Sequence, residues 1–400
     1  MRGRSRRSLA TVSLAVVLGL ACSSTGGSAQ NTAGNTAQPG SGRVFFVQGS
    51  TKRVSQLTGD VDRASKTPTL SQTTKRFGIV GTDLGSSFEH KGNLYFLFGD
   101  TLGQPGALDA IGWTGSRNPE KIVLDFHMGR GGRWMPPSVP GISQAGLEIP
   151  SGGISIDGTM FVVFTTDHTE TKSMGRSVMA SSKDDGRTFK VLYELSRDKF
   201  INVSFVSRDG WLYLYGSGDY RKSSVSLARL KPSQIGVRSS LEYFSGSSPD
   251  GQARWSSREA DAVTLFEHNV VGEFSVSYLA PLAQYVMLYN SREPRGIVMR
   301  SSSSPTGPWL QAGVLFDPRR DQGDQPFMHM PGRSGQGDTI SDPNRLDLPG
   351  GEYGPYVMER YTNCTGDRCR LYYTMSTWNP YQVMVMQSDV RSGPPAPTDR

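Results

Sequence analysis

Two aspartates, Asp83 and Asp100, close the ends of the segment GTDLGSSFEHKGNLYFLFGDT, residues 81 to 101. Lys91-Gly92 lies at its centre, and Gly is the usual residue of a tight hairpin turn. A turn centred there pairs Phe88 with Tyr95, Gly85 with Phe98 and Asp83 with Asp100. The two carboxylates would then stand with Cβ atoms roughly 5 Å apart, and one bulge would shift that register. Like charges directly opposite each other destabilise a sheet. Such a pair makes chemical sense if it raises the pKa of one aspartate for acid/base work, or if a cation or a sugar hydroxyl lies between the two. The plain alternative is two solvated strand-end aspartates that fall near turns.

The elements that would position this pair are strands. An aromatic-rich second strand recurs along the chain, as LYFLFGDT at 94, MFVVFTTDH at 160, WLYLYGSGDY at 211, YVMLYNSRE at 285 and LYYTMSTWN at 371. Several are followed by a third alternating strand, and only SLARLKPSQIG tempts a helical turn. Five repeats of a three- or four-stranded sheet predict an all-β chain folded as a five-bladed β-propeller over 43–392, with 393–400 as a disordered tail. A two-sheet β-sandwich is the competing architecture. SSKDDGRTF at 181 to 189 fits the Asp-box turn between outer strands, where the aspartate bonds backbone amides, so Asp184 and Asp185 are read as structural.

In a propeller the innermost strand of each blade lines the central channel. The candidates are GLEIPSGGISI, FINVSFV, GEFSVSYLA and YGPYVMERY, which offer Glu148, Asn202, Glu273 and Tyr356 to one funnel. Asp219 in YGSGDY repeats the position of Asp100 in another blade. A carboxylate pair with Glu273 on a different blade meets the needs of glycosidic hydrolysis: one group protonates the leaving oxygen and another activates water or attacks. A close pair alone fits the retaining separation of roughly 5 Å, and a donor on another blade fits the inverting gap of roughly 6.5–9.5 Å. Trp113, Trp134, Trp255 and Trp378 are candidates for stacking on sugar rings or for loop packing, and His127, His168 and His268 could add hydrogen bonds.

The N-terminus reads as an address. MRGRSRR is basic, LATVSLAVVLGLA is an apolar run short of a membrane span, and Cys22 follows. LGLAC resembles a lipobox, with Gly19 departing from its usual leucine, and SRRSLA resembles a twin-arginine signal. The expectation is an export signal of lipoprotein type over 1–22, lipidation of Cys22, and a flexible tether over 23–42; cleavage near Ala29 without a lipid is the alternative. Removal of the signal takes four arginines and no acidic residue from the net charge of +7, leaving +3 and no electrostatic case for nucleic acid. Cys364 and Cys369 in NCTGDRC flank a short turn, a spacing that favours a disulfide at a hairpin tip in an exported chain, free thiols being the alternative. Neither a CxxC pair nor an HExxH helix suggests a zinc site.

GTDLG, the following FGDT, PSGG before the second blade and GEFSVSY before the fourth together resemble the domain of unknown function 4185 family. Its members are secreted five-bladed propellers, some of them endo-D-arabinanases that cut the D-arabinan of mycobacterial cell walls. The phrase SSSSPTGPW is also similar to an outer-strand phrase of five-bladed furanosidases. The resemblance implies a furanosidase-type site on the channel rim with Asp83 and Asp100 essential. The roles expected are Asp83 as base or nucleophile, Asp100 as its orienter, the two being exchangeable, and Glu273 as proton donor. Asn202, Glu148, Tyr356, Asp219 and Trp378 would bind substrate. The expected protein is a monomeric glycoside hydrolase acting on a polysaccharide, held to a membrane only by its lipid, with no required cofactor. A structural calcium at Asp83, Asp100 or Asn202 is one option, and a non-catalytic propeller that binds glycan or protein is the rival reading.

Overall fold

Strands of alternating apolar and small polar residues bury one face against the next sheet, and here they do so in a ring. In the computed structural model, which describes residues 42–104, 106, 108–332 and 346–393, five antiparallel sheets form the five blades of a β-propeller. The sandwich alternative is thereby set aside. The first two strands, β1 (Val44–Phe46) and β2 (Lys52–Gln56), and a five-residue helix, α1 (Thr73–Phe77), precede the first complete blade. Blade 1 holds β3 (Ile79–His90), β4 (Asn93–Gly103), β5 (Leu108–Thr114) and β6 (Asp125–Phe126). Blade 2 holds β7 (Pro150–Ile156), β8 (Thr159–Thr166), β9 (Arg176–Ser182) and β10 (Lys190–Ser196).

Blade 3 is formed by β11 (Asn202–Arg208), β12 (Trp211–Ser217), β13 (Val225–Leu230), β14 (Glu242–Ser247) and β15 (Ala253–Ser256). Blade 4 comprises β16 (Phe274–Leu279), β17 (Gln284–Arg292), β18 (Arg295–Ser302) and β19 (Leu310–Phe316). Blade 5 contains β20 (Gly351–Val357), β21 (Asn363–Thr365), β22 (Arg368–Trp378) and β23 (Gln382–Ser392). Its outer edge is supplied by β1 and β2, both paired with β23. The first strands of the fold thus complete the last blade and close the ring.

The inner strands β3, β7, β11, β16 and β20 pack side by side around the channel. Core apolar groups fill the gaps between blades: Phe88 and Leu97 of blade 1 cluster with Val162 and Phe164 of blade 2, for example. Each large side chain so buried contributes about 1.5–3 kcal/mol. SLARLKPSQIG is strand β13 followed by a single 3-10 turn at Pro232–Gln234, and the α-helix at Thr73–Phe77 is too short to show periodicity. The Asp-box reading holds, since Asp184 accepts from the Ser182 hydroxyl at 2.7 Å and the Thr188 amide at 3.0 Å. Cys364 and Cys369 face each other across β21 and β22 and are joined as a disulfide. The signal, Cys22 and the tether up to residue 41 lie outside the described residues, as do residues 394–400 of the tail.

Candidate active site

The hairpin β3–β4 keeps the expected register from its turn, where Lys91 and Gly92 both have positive φ, to Ser86 opposite Leu97. It then slips. Gly85 is accommodated as a bulge, so Leu84 faces Phe98 and Asp83 faces Gly99. The expected facing pair of Asp83 and Asp100 is therefore corrected by one residue. On the other edge of β4, Phe98 faces Ala110 and Thr101 faces Leu108, which sets Gly99 and Asp100 together against the single residue Asp109. Asp100 sits in this bulge with φ 40°, a conformation that aspartate tolerates better than most residues.

The slip leaves both aspartates on the wall of one cavity of about 510 Å³, which Glu273, Tyr353, Tyr381 and Trp378 also line. Asp83 is 7% exposed. Its Oδ2 accepts the Tyr353 hydroxyl at 2.9 Å, Tyr381 adds a second hydroxyl donor, and its Oδ1 has no partner. Burial and then the charge of Asp100 push its carboxyl well above the usual range, against the pull of the two tyrosines. Asp100 accepts the Leu147 amide at 2.9 Å. Its pKa is pushed up to about 6 by burial, opposed by that amide and by His168, and assisted by Glu273 and Glu148. Neither aspartate forms a salt bridge among the described residues.

Glu273, just before β16, is buried and fully engaged. Arg221 donates to its Oε2 from Nε at 3.1 Å and to its Oε1 from Nη2 at 3.0 Å, and the Tyr220 hydroxyl donates to Oε1 at 2.9 Å. The guanidinium lies over the rings of Tyr220 and Tyr353 at 4.7 and 5.0 Å, so Tyr353 links the Asp83 side of the cavity to the Glu273 side. Among the described residues no three His, Cys, Asp or Glu side chains are grouped to hold a metal ion.

The other sequence candidates divide. Trp378 lines the cavity. Glu148 lies behind its wall, where its two oxygens accept the amides of Ala145 at 2.7 Å and His168 at 2.9 Å and so clamp two loops. Those bonds, with Ser143, hold its carboxyl below the usual range although burial works the other way. Asn202 is buried behind Met174, its amide nitrogen 3.5 Å from the sulfur and its oxygen without a partner. Tyr356 is buried deeper in the channel and borders a second cavity of about 340 Å³ toward the other face. Asp219 faces solvent with a 3.8 Å ion pair to Lys222, while its neighbours Tyr220 and Arg221 reach the cavity.

Trp113, Trp134 and Trp255 pack rather than line the site: Trp113 on Tyr95 and His127, Trp255 on Phe244, and Trp134 in the core of blade 1. His127 meets the Asp185 carbonyl at 2.8 Å and His268 the Tyr289 hydroxyl at 2.7 Å, whereas His168 neighbours Asp100. Sequence reading missed Tyr220, Arg221, Tyr353, Tyr381 and Asp109. Of these only the GDYR turn, which repeats the Gly-Asp of the first hairpin, carried a usable signal.

A family model described as "Domain of unknown function (DUF4185)" matches residues 69–387. No curated protein matches the chain in sequence. Among solved structures, a Bacteroides ovatus protein provisionally described as a hydrolase superposes with TM-score 0.53 at 16% identity, covering 79% of this chain and 87% of its own. A thermostable family-43 glycoside hydrolase gives TM-score 0.43 at 11% identity over 80% of this chain and 95% of its own. A family-43 enzyme of Xanthomonas citri in complex with xylotriose gives 0.43 at 13% over 79% and 88%. The first of these likenesses shows the fold.

Proposed function

The chain belongs to the DUF4185 family, and from that premise and the cavity's chemistry we propose that it is a glycoside hydrolase cleaving a furanoside polysaccharide, D-arabinan of mycobacterial-type cell walls, by internal cuts. One observation carries the reading: two aspartates of raised proton affinity share a cleft in which neither is neutralised by a cation. Hydrolysis of an acetal needs a proton donor and a base or nucleophile, and environments that raise two carboxylates unequally separate those roles. Asp83, the more deeply buried and held well above the usual carboxylate range, is the acid that gives its proton to the leaving glycosidic oxygen. Asp100, ionised above about pH 6, takes the proton of the attacking water or attacks directly.

Glu273 exchanges the donor role expected from sequence for a positioning one. Both of its oxygens are engaged by three hydrogen bonds, two from one guanidinium, and it fixes Arg221 and Tyr220 against the substrate. On the wall Glu273 is paired with Arg221 and Glu352 with Arg295, so with Asp83 protonated Asp100 is the carboxylate left without a cation. With its arginines already engaged by carboxylates, the cleft suits a neutral sugar polymer better than uronates. Trp378, Tyr381, Leu102 and Met174 supply apolar surface for sugar rings. Export, with Cys22 lipidated and the tether holding the propeller at a cell surface, completes the proposal.

The test is oligosaccharide release from mycobacterial arabinogalactan by the chain lacking residues 1–30, beside plant L-arabinan and beside Asp83→Asn. D-arabino-oligosaccharides released by the parent, and reduced by about 10³-fold in a folded Asp83→Asn protein, are expected. Release that is equal in the variant removes Asp83 from the chemistry. Binding of either polymer without release from either would favour a non-catalytic glycan-binding propeller.

A further inference from the structure

The bulge that carries Asp100 is bracketed by carboxyls on both neighbouring strands. Asp83 of β3 faces Gly99, and Asp109 of β5 faces the Gly99–Asp100 step from the other side. Asp109 is 2% exposed and does not line the cavity, so it lies behind Asp100 and out of reach of a substrate. The Gln144 side-chain amide donates to its Oδ2 at 3.4 Å, and no lysine or arginine pairs with it among the described residues. A bulge is a point of a sheet where a side chain is re-aimed, and Asp109 is the single residue set against this one. We propose that Asp109 is a positioning residue for Asp100: a carboxyl packed behind the bulge that fixes the orientation of Asp100 and tunes its proton affinity. This rests on the hydrolase reading for its consequence in catalysis, but its physical content does not.

Three carboxyls, Asp83, Asp100 and Glu148, face Asp109 from β3, from β4 and from the loop before β7, and only the neutral Gln144 opposes them. A carboxylate buried among like charges without a counter-ion takes up a proton. Asp109 is therefore, like Asp83, biased toward its protonated form. Burial first, and then the charge of Asp100, hold its carboxyl well above the usual range. A protonated acid behind the bulge gives the Asp100 anion a polar neighbour in place of a further like charge, beside Glu273 and Glu148, which disfavour that anion, and His168 and the Leu147 amide, which favour it.

Asparagine reproduces the shape and polarity of that neutral carboxyl, and alanine does not. In the chain lacking residues 1–30, Asp109→Asn should keep kcat within about threefold and leave the acidic limb of the pH–rate profile near pH 6. Asp109→Ala should move that limb upward by about one unit, because the Asp100 anion loses its polar neighbour. The same shift is read without any substrate by carbon NMR titration of the Asp100 carboxyl, so failure of the hydrolase reading and failure of this one are distinguishable. Asp109→Ser provides a smaller polar replacement if the alanine protein does not fold, with a shift between those of the other two expected. An Asp100 titration unmoved in the folded alanine or serine variant would overturn the proposal. So would a loss of activity in Asp109→Asn equal to that of Asp83→Asn, which would make Asp109 a catalytic residue.

Discussion

Asp100→Asn should make the protein more stable at neutral pH. The folded Asp100 has a pKa of about 6 against 3.8 for the free side chain, so folding strengthens its hold on a proton by about two units. Below pH 4 the group is protonated in both the folded and unfolded chain and costs nothing. Between about pH 4 and 6 the unfolded chain has released the proton while the folded one retains it, and stability falls by about 1.4 kcal/mol per pH unit. Above pH 6 both are ionised, and the full cost of about 3 kcal/mol remains. Asparagine removes that charge while its Oδ1 can still accept the Leu147 amide, and it tolerates the positive φ of this position. Thermal melts of the two proteins from pH 4 to 8 should converge at the acid end and separate by about 4 °C at pH 7.5 and above. A difference independent of pH, or an asparagine protein less stable than the parent at pH 7.5, would refute the burial argument for Asp100.

The remaining predictions concern the supports of the site. Arg221→Ala leaves Glu273 buried without its counter-ion and should lower stability to urea by about 2 kcal/mol, less than for a fully buried pair because the Arg221 side chain is 34% exposed. Adding Glu273→Gln should recover part of that loss, and a double mutant that only adds the two costs would show the pair to be uncoupled. Replacing Cys364 and Cys369 by serine opens a short loop, and a loss of about 2 kcal/mol is expected. Oligosaccharide release should be unaffected, because Cys369 and the cavity residue Trp378 lie at opposite ends of β22, about 30 Å apart in an extended strand.

What the sequence made legible follows from the range of the interactions involved. The second strands of all five blades announce themselves through local alternation, and the Lys91-Gly92 turn, the Asp box and the disulfide each depend on a few adjacent residues. Placement of Asp83, Asp100 and Glu273 in one cleft needed only that inner strands line one channel and that the second strand of blade 1 returns to the rim where the first began. The register beyond Gly85 did not follow, because a glycine inside a strand is compatible with either a continuous ladder or a bulge. Arg221 was hidden for a similar reason: at φ 54° the turn carries it, rather than Asp219, to the cavity. Tyr353 and Tyr381 reach Asp83 across the closure of the ring, from blade 5 to blade 1. Asp109 gave no signal at all. Within LDAIGWT it reads as an ordinary strand position, and its burial is decided by the bulge on the opposite strand.

That bulge also explains why the pair is written as Gly-Asp. A Cβ on residue 99 would approach the Ile149 side chain to 2.5 Å, Leu84 to 3.0 Å and the Asp83 Oδ1 to 3.2 Å. Only a glycine leaves room for the Asp83 carboxyl and the apolar wall of blade 2 to close over this point, and that closure desolvates Asp83. Asp100 follows with positive φ, which costs of order 1 kcal/mol and swings its carboxyl out toward the Leu147 amide. The two aspartates would repel each other across a regular ladder as facing neighbours. Offset by one residue, they occupy unequal environments instead, one enclosed by tyrosines and one nearer the opening. An acid/base pair needs that inequality more than it needs proximity, and it is obtained at the expense of stability concentrated in a single strand. The pairing of β1 and β2 with β23 and the packed gaps between blades lie elsewhere in the ring, where that expense can be offset without loosening the cavity.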